Sequence, residues 1–161
     1  VGLTMSLASR ILDKAKECGV MIAPAESCTG GMVAAALTDI PGSSAVMERG
    51  FVTYTNRAKM EMLGVDGTTL DTFGAVSEEV AREMAVGALT PAPVDLTVSI
   101  TGIAGPGGSE FKPEGRVCFG IADAQGTVSE TVEFGALGRD GVRRAARDHD
   151  LTLLLERLHR T

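Results

Sequence analysis

Segments typical of buried strands alternate along this chain with segments typical of amphipathic helices. The apolar runs 20–23, 51–54 and 96–100 each lead into a polar or glycine-containing loop, and helical periodicity follows. Helices interleaved with strands pack in layers around a sheet, because each helix has an apolar stripe to bury. The alternation therefore predicts an α/β fold: a three-layer α/β/α sandwich with a mixed, mainly parallel sheet of about five strands.

The bounds of the elements follow from the same periodicity, from capping residues and from glycine and proline stops. Two more strands, 116–122 and 127–134, flank the short polar link 123–126, which is typical of an antiparallel hairpin. No linker or internal repeat interrupts the 161 residues, so one domain over 1–161 is predicted. Helices are predicted at 4–18, 32–37, 56–63, 77–89 and 140–158.

An acidic balance limits the classes of partner. The formal net charge is -6, and the one dense cluster of arginines, 139–147, also contains Asp140. Proteins that bind nucleic acids broadly carry a basic stripe that displaces counterions from phosphates. We therefore expect no nucleic-acid partner, although a local arginine pocket for a small anion is compatible with this cluster.

Cysteine usage and hydropathy indicate the compartment. Three cysteines without a C-x-x-C spacing argue against a disulfide scaffold and favour a reducing environment. No signal peptide precedes the first predicted helix, and no apolar run approaches the roughly 18–20 residues that cross a bilayer. The chain is therefore expected to be cytoplasmic and to have no membrane partner.

The scarcity of histidine restricts the choice of a catalytic base. His149 and His159 are the only two, and both fall in the last predicted helix, so a Ser-His-Asp triad lacks a well-placed base. Lysine can replace histidine when its neutral form is favoured. Lys59 lies in the first turn of the helix that begins at Asn56, where the positive potential of the helix start disfavours an ammonium ion. From spacing alone, an exposed helix lysine is the alternative interpretation.

Several side chains compete for the role of nucleophile. Ser43 and Ser44 follow a turn in which Gly42 lets the backbone approach a ligand closely. Cys28 precedes a helix start, where a thiolate is stabilised, although without a nearby histidine a small buried residue is more typical. Ser27 is the remaining candidate, and the choice stays open at this point.

Two glycine-containing loops are candidates for binding an anion. Ser27 and Thr29 precede Gly30, where they either cap the next helix or form a cradle of backbone N–H groups. The loop 101–108 follows an apolar strand and holds more glycine than a plain turn needs, so its amides are placed to line a pocket. Physical reasoning alone thus reaches a pocket for a small anionic ligand with a Ser/Lys pair.

Five motifs extend this interpretation, because together they resemble the CinA C-terminal domain family. They occur in the order expected for that family and span nearly the whole chain, which makes the resemblance specific. Stand-alone members of the family are nicotinamide-nucleotide amidohydrolases. The motifs are AESCTGG at 25–31, PGSSA at 41–45, VTYTNRAK at 52–59, GAVSEE at 74–79 and ITGIAGPGG at 100–108.

The resemblance implies hydrolysis of nicotinamide mononucleotide to nicotinate mononucleotide and ammonia, within pyridine-nucleotide recycling and without a metal or cofactor. It assigns the nucleophile to Ser44 and the base to Lys59, with Tyr54 and Thr101 relaying the proton or orienting the lysine. Before the last helix the family often reads PGDR, whereas this chain reads ALGR at 136–139. The predicted substrate-binding residues are Gly42, Ser27, Thr29, Gly30, Ala104, Gly105 and Arg139.

Two other functions compete with this one. CinA C-terminal domains are associated with competence and DNA damage, so a non-catalytic binding module is one alternative. The acidic balance counts against direct DNA binding, and the complete set of Ser44, Tyr54, Lys59 and Thr101 favours catalysis. The second alternative is an amidase that acts on another carboxamide nucleotide. A homo-oligomer is also expected, with a dimer favoured.

Overall fold

The computed structural model describes residues 2–91, 93–109 and 111–160. Within these ranges the helices are α1 (Leu3–Cys18), α2 (Met32–Thr38), α3 (Asn56–Leu63), α4 (Gly67–Phe73), α5 (Glu78–Leu89) and α6 (Gly138–His159). The strands are β1 (Ile22–Glu26), β2 (Phe51–Val52), β3 (Leu96–Gly102), β4 (Arg116–Asp123) and β5 (Gly126–Glu133). A short 3₁₀ turn, Ser43–Ala45, precedes β2. None of the described helices is both long and apolar enough to cross a membrane.

The strands form one sheet in the order β2-β1-β3-β4-β5. Strand β1 lies between β2 and β3 and is parallel to both, whereas β4 is antiparallel to β3 and to β5. The predicted hairpin is confirmed, because Asp123 pairs with Gly126 across its tight turn. The predicted α/β fold with a mixed sheet of five strands is therefore confirmed, with its four pairs divided equally between parallel and antiparallel.

Helices cover both faces of the sheet. On one face α1, α2 and α6 contact one another, and α2 and α6 reach the strands; on the other, α5 lies across β1, β3, β4 and β5 with α3 and α4 beside it. The strand β3 shows how its residues divide between the faces: Ile100 joins the core under α6, while Thr97 and Ser99 face α5. Their hydroxyls donate to the carbonyls of Ala85 and Ala81, each at 2.6 Å, so these buried polar groups are satisfied.

One glycine sets how closely two helices of the second layer approach. A Cβ atom at Gly87 of α5 would lie 1.8 Å from the carbonyl oxygen of Leu63 in α3. No other residue fits there without moving backbone. The last turn of α3 is therefore held tightly against α5.

The structure departs from the predicted elements in two places. Helix α4 is absent from the prediction, because its seven residues bury only Leu70 and so show no helical period. Asp66 nevertheless caps it, accepting a hydrogen bond from the Thr68 amide at 2.8 Å. The first strand begins at Ile22 and runs on to Glu26, later than the predicted 20–23.

A carboxyl group lies inside the core under α6. Asp150 is completely buried, and neither of its carboxyl oxygens has a hydrogen-bond partner in the part of the chain that the structure describes. Burial raises the pKa of this carboxyl well above its ordinary value, and the negative charge of Glu26 raises it further. Asp150 therefore keeps its proton in the folded protein at pH values where it loses it in the unfolded chain.

Replacing Asp150 by asparagine is expected to stabilise the protein increasingly as the pH rises. Above the ordinary aspartate pKa of about 4, the unfolded chain releases the proton and is favoured by up to about 1.4 kcal/mol for each pH unit until the raised pKa is passed. Asparagine has no proton to release, so Asp150→Asn removes this pH-dependent loss of stability. The gain in the free energy of unfolding over the wild type is therefore small near pH 4 and larger at pH 7. Urea unfolding at both pH values measures it.

The exposed Asp13 of α1 supplies the control, because Asp13→Asn changes the same group at the surface. We expect its effect on the free energy of unfolding to differ little between the two pH values. An equal effect of Asp150→Asn at pH 4 and pH 7 would contradict the retained proton.

Candidate active site

The carboxyl ends of the parallel strands β2, β1 and β3 meet at one edge of the sheet, where ligands of α/β proteins gather. A cleft of about 330 Å³ opens there. This volume is within the range of small-molecule sites. The cleft is lined by Ser27, Cys28, Tyr54, Asn56, Lys59, Ala75, Val76, 101–109 and Arg139.

A larger depression of about 670 Å³ lies against α3 and α5. Among the described residues its lining is largely apolar, with Met62, Leu63 and Val86, and it includes no serine, cysteine or lysine. A hydrolytic site needs a nucleophile and a base together. The smaller cleft at the carboxyl edge is therefore the candidate site.

Lys59 lies at the bottom of this cleft and is only 1% exposed. Thr55 caps α3 by accepting a hydrogen bond from the Ala58 amide, and the lysine side chain then turns inward from the first turn of the helix. Its Nζ donates to the Ser27 Oγ at 2.9 Å and to the Thr53 carbonyl at 3.1 Å. The alternative interpretation of an exposed surface lysine is therefore wrong.

Ser27 is the hydroxyl that the structure places at Lys59. It directly follows β1, is nearly buried, and is anchored by its backbone N–H, which donates to the Ile100 carbonyl at 3.0 Å. Because β1 pairs with both β2 and β3, the end of β1 is held next to the start of α3. The pair of hydroxyl and amine is thus formed by residues 32 positions apart in the chain.

Ser44 does not meet Lys59 in this structure, which corrects the predicted pair. Ser44 is exposed in the 3₁₀ turn, three residues before Met47, and Met47 bridges to Ile22 at the amino end of β1. The turn with Ser44 and Gly42 therefore lies at the opposite end of β1 from Ser27, on the order of 16 Å away for five residues of strand. The physical reason is that α2 carries the chain back across the sheet before the turn begins.

The Cys28 thiol is not an activated nucleophile. Its side chain is buried, and desolvation is the main cause that raises its pKa to about 12, with the negative charge of Glu26 contributing in the same direction. Lys59 and Arg143 act in the opposite direction but do not outweigh burial. The thiol therefore stays protonated at neutral pH, and Cys28 is a small buried residue of the cleft wall.

Glu26 uses the groups that had been predicted to hold an anion. Its Oε1 accepts hydrogen bonds from the Thr29 hydroxyl at 2.6 Å and from the Gly31 and Val33 amides at 3.1 and 3.0 Å. Its Oε2 accepts one from the Ala34 amide at 3.0 Å. The start of α2 is thus capped from inside the protein.

Thr29 and Gly30 are consequently not among the residues that line the cleft, which corrects their predicted role in substrate binding. The Gly30 amide donates instead to the Ser27 carbonyl at 3.0 Å. The sequence did contain a signal for Glu26, because an ionisable residue ending a buried apolar strand requires internal partners.

The remaining predicted residues do line the cleft. Tyr54 accepts a hydrogen bond at its hydroxyl from Arg139 Nη2 at 2.5 Å, and Arg139 Nη1 donates to the Gly105 carbonyl at 2.7 Å. Thr101 is buried and donates to the Ala75 carbonyl at 2.8 Å. Gly105 and its neighbour Ala104 belong to the glycine-rich wall. Their roles in binding or proton transfer stay predictions.

Two residues that the sequence interpretation missed shape the same wall. Asn56, the first residue of α3, lines the cleft. Glu114 accepts hydrogen bonds from the Gly107 amide at 2.7 Å and from the Gly138 amide at 2.9 Å, and so connects the glycine-rich loop to the start of α6. Nothing local in the sequence indicates this contact, because it joins residues far apart in the chain.

The histidines take no part in the cleft lining. His149 stacks on Phe119, with ring centroids 4.6 Å apart, and its Nε2 lies 2.7 Å from Glu130 Oε1. Over the ranges that the structure describes, no three side chains of His, Cys, Asp or Glu are grouped as ligands of a metal ion would be. The polar side chains of the cleft lining are thus hydroxyls, a thiol, an amide, an amine, a phenol and a guanidinium: Ser27, Thr101, Ser109, Cys28, Asn56, Lys59, Tyr54 and Arg139.

Comparison with known proteins identifies the family of this chain. The sequence model of the CinA C-terminal domain family matches residues 4–158 of this chain. The nicotinamide-nucleotide amidohydrolase PncC of Escherichia coli strain K12 is 52% identical over 151 residues, which cover 93% of this chain and 92% of that protein. The PncC of Enterobacter agglomerans is 53% identical over 126 residues, covering 78% of this chain and 77% of its own.

Solved structures lead to the same family. The competence/damage inducible protein CihA from Agrobacterium tumefaciens superposes with a TM-score of 0.94 and 46% identity, over 99% of this chain and 97% of its own. The prediction of an amidohydrolase is confirmed at the level of the family, since the PncC relatives of Escherichia coli and Enterobacter agglomerans, which match most of the chain, carry that activity in their names. The chain therefore belongs to the CinA C-terminal domain family.

Proposed function

We propose that this protein hydrolyses the carboxamide of nicotinamide mononucleotide to nicotinate mononucleotide and ammonia, with Ser27 as nucleophile and Lys59 as base. The observation that carries the proposal is the 2.9 Å contact between Lys59 Nζ and Ser27 Oγ at the bottom of a cleft. The names of the PncC relatives supply the substrate, and the residues of the cleft supply the mechanism. The reaction would serve pyridine-nucleotide recycling.

The burial of Lys59 favours the state that a base requires. A lysine accepts a proton only as the neutral amine, and removing water from an amino group disfavours its charged form. The first turn of α3 adds positive potential in the same direction. In the neutral amine, the Thr53 and Tyr54 carbonyls accept the two N–H hydrogens, and the Nζ lone pair faces the Ser27 hydroxyl, 2.9 Å away, whose proton it removes.

The reaction follows in two balanced steps. Ser27 Oγ attacks the carboxamide carbon while its proton passes to Lys59, and the tetrahedral intermediate expels ammonia, which takes that proton from Lys59. The product of this step is an acyl-enzyme ester on Ser27. Water then attacks the ester, gives a proton to Lys59, and releases nicotinate mononucleotide as Ser27 recovers the proton. No metal is needed in either step.

The oxyanion of each tetrahedral intermediate needs hydrogen-bond donors, each of which typically lowers the activation barrier by about 3 kcal/mol. The predicted donors near Gly42 lie at the other end of β1. The backbone amides of the glycine-rich loop 102–108 line the cleft beside Ser27 and are the better candidates. The Gly107 amide already donates to Glu114 and the Ile103 amide to the Arg116 carbonyl, and Pro106 has no N–H, so these three residues are excluded from this set.

Arg139 is the group in the cleft that best fits a phosphate. We expect Arg139→Met to raise the KM for nicotinamide mononucleotide by about 10- to 100-fold, because a charge-assisted hydrogen bond contributes about 1.5–3 kcal/mol. Nicotinamide riboside lacks the phosphate, so its kcat/KM should change by less than about threefold. Steady-state kinetics with both substrates measures this difference. An equal loss for both would assign Arg139 to the Tyr54 contact alone.

The proposed function is tested by ammonia release from the purified protein in buffer containing a metal chelator. Nicotinamide mononucleotide, nicotinamide riboside and a dinucleotide with the same carboxamide are compared. Faster turnover of the mononucleotide supports the proposal. Faster turnover of another carboxamide nucleotide favours the second amidase activity, and no ammonia from any of them favours a non-catalytic binding module. The homo-oligomer, with a dimer favoured, the cytoplasmic location and the single domain over 1–161 stay predictions.

A further inference from the structure

Arg143 of α6 contacts the turn that carries Ser27. Its Nε donates to the Cys28 carbonyl at 2.9 Å, and its Nη2 donates to the Thr29 carbonyl at 3.3 Å. The guanidinium is thus a fork that holds two successive carbonyls of one turn. Arg143 is not among the residues that line the cleft, so this contact is made from behind the site.

The close approach of Arg143 depends on a glycine. Gly30 has a φ of 59°, and a Cβ atom there would lie 3.2 Å from Arg143 Nη2. A residue with a side chain would be strained in this left-handed backbone conformation, and its Cβ would crowd the guanidinium. The turn is therefore shaped so that the arginine reaches its carbonyls.

Glu26 holds the same turn from the other side. Arg143 binds carbonyl oxygens of the turn, whereas Glu26 binds the Thr29 hydroxyl and the amides at the start of α2. A cation and an anion therefore clamp the backbone directly after Ser27. Because α6 also packs against α1 and α2, the turn is connected through Arg143 to a rigid layer of the fold.

We propose that Arg143 is a positioning residue, which keeps the Ser27 hydroxyl at Lys59 by holding the carbonyls of Cys28 and Thr29. The inference rests on the proposed function, in which Ser27 is the nucleophile. Loss of the fork leaves the Cys28 carbonyl without its arginine donor and the Thr29 carbonyl with only the Met32 amide, which allows the turn to shift. A displacement of about 1 Å between reacting groups can cost on the order of 100-fold in rate.

Arg143→Ala tests the inference, because a positioning residue outside the cleft should affect kcat much more than KM. We expect kcat for ammonia release to fall by about 10- to 100-fold, with KM within about threefold of the wild type, because the arginine does not touch the cleft. Added methylguanidine should restore part of kcat by filling the space of the missing fork. Arg143→Lys keeps the charge but lacks the planar fork, so its kcat should be intermediate.

The matched control is Arg144→Ala, at the next position of the same helix. Arg144 pairs with Asp140 at the surface and contacts neither carbonyl of the turn, so its kcat should equal that of the wild type. An Arg143→Ala enzyme with wild-type kcat would overturn the inference. So would a loss confined to KM, or a loss of kcat that neither methylguanidine nor the lysine variant reduces.

A second measurement is independent of any substrate. Crystal structures of the wild type and of Arg143→Lys should show the Ser27–Lys59 contact at hydrogen-bond distance in the first and lengthened in the second. An unchanged contact in the variant overturns the inference. If the wild type releases no ammonia while the contact responds to Arg143, the proposed function fails and the positioning role of Arg143 stands.

Discussion

Replacing Ser27 by alanine is expected to lower kcat for ammonia release by at least about 1,000-fold, since it removes the group that would form the acyl-enzyme. The fold should survive, because alanine fits the space and the backbone N–H of residue 27 keeps its hydrogen bond to Ile100. Steady-state kinetics measures the loss, and thermal unfolding shows that the variant is folded.

Ser44→Ala is the matched variant for this prediction. Ser44 is exposed at the amino end of β1, and resemblance to the family had assigned the nucleophile to it. We expect its kcat and KM to stay within about threefold of the wild type. Inactive Ser44→Ala beside active Ser27→Ala would reverse the assignment. Such a result would require Ser44 to reach Lys59 in a way that this chain by itself does not show.

Lys59→Met is the second change with a large expected effect, and it should alter activity far more than stability. Loss of the base should lower kcat by at least about 1,000-fold. Methionine is apolar and of similar length; it removes the cost of burying an amino group but leaves the Thr53 carbonyl without the Nζ donor, so the free energy of unfolding should change by less than about 2 kcal/mol. Kinetics and urea unfolding measure the two quantities on the same preparation.

Lys14 of α1, whose side chain is partly exposed and forms a surface ion pair with Glu17, provides the control. Lys14→Met should leave kcat unchanged and alter stability by less than about 0.5 kcal/mol. An active Lys59→Met enzyme would remove the lysine from the mechanism. A strongly destabilised one would instead indicate that the amine has a structural role in the core.

Most of the fold could be predicted because its signals are local. Helix α3 was predicted at the observed bounds, since a capping threonine precedes it and Gly64 in a left-handed conformation ends it. The hairpin of β4 and β5 was predicted from its short polar link. Helix α4 was missed because a seven-residue helix with one buried side chain has too little periodicity to be recognised.

The site divides in the same way between local and distant signals. Lys59 was singled out from its position at a helix start, which depends only on neighbouring residues. Glu114 and Arg143 were missed because their partners lie in distant parts of the chain. Burial of an ionisable group such as Asp150 was equally hidden, since its helix presents a polar residue to the core at that one turn.

The order of residues was enough to predict the α/β layers, the glycine-rich loop and Lys59 as the candidate base. It left Ser27, Ser44 and Cys28 open as nucleophiles, and resemblance to the family favoured Ser44. Only the pairing of β1 with β2 and β3 favours Ser27 as the proposed nucleophile, because it brings the end of β1 to the first turn of α3. The sheet thereby places Ser27 at Lys59 and leaves Ser44 at the far end of the same strand.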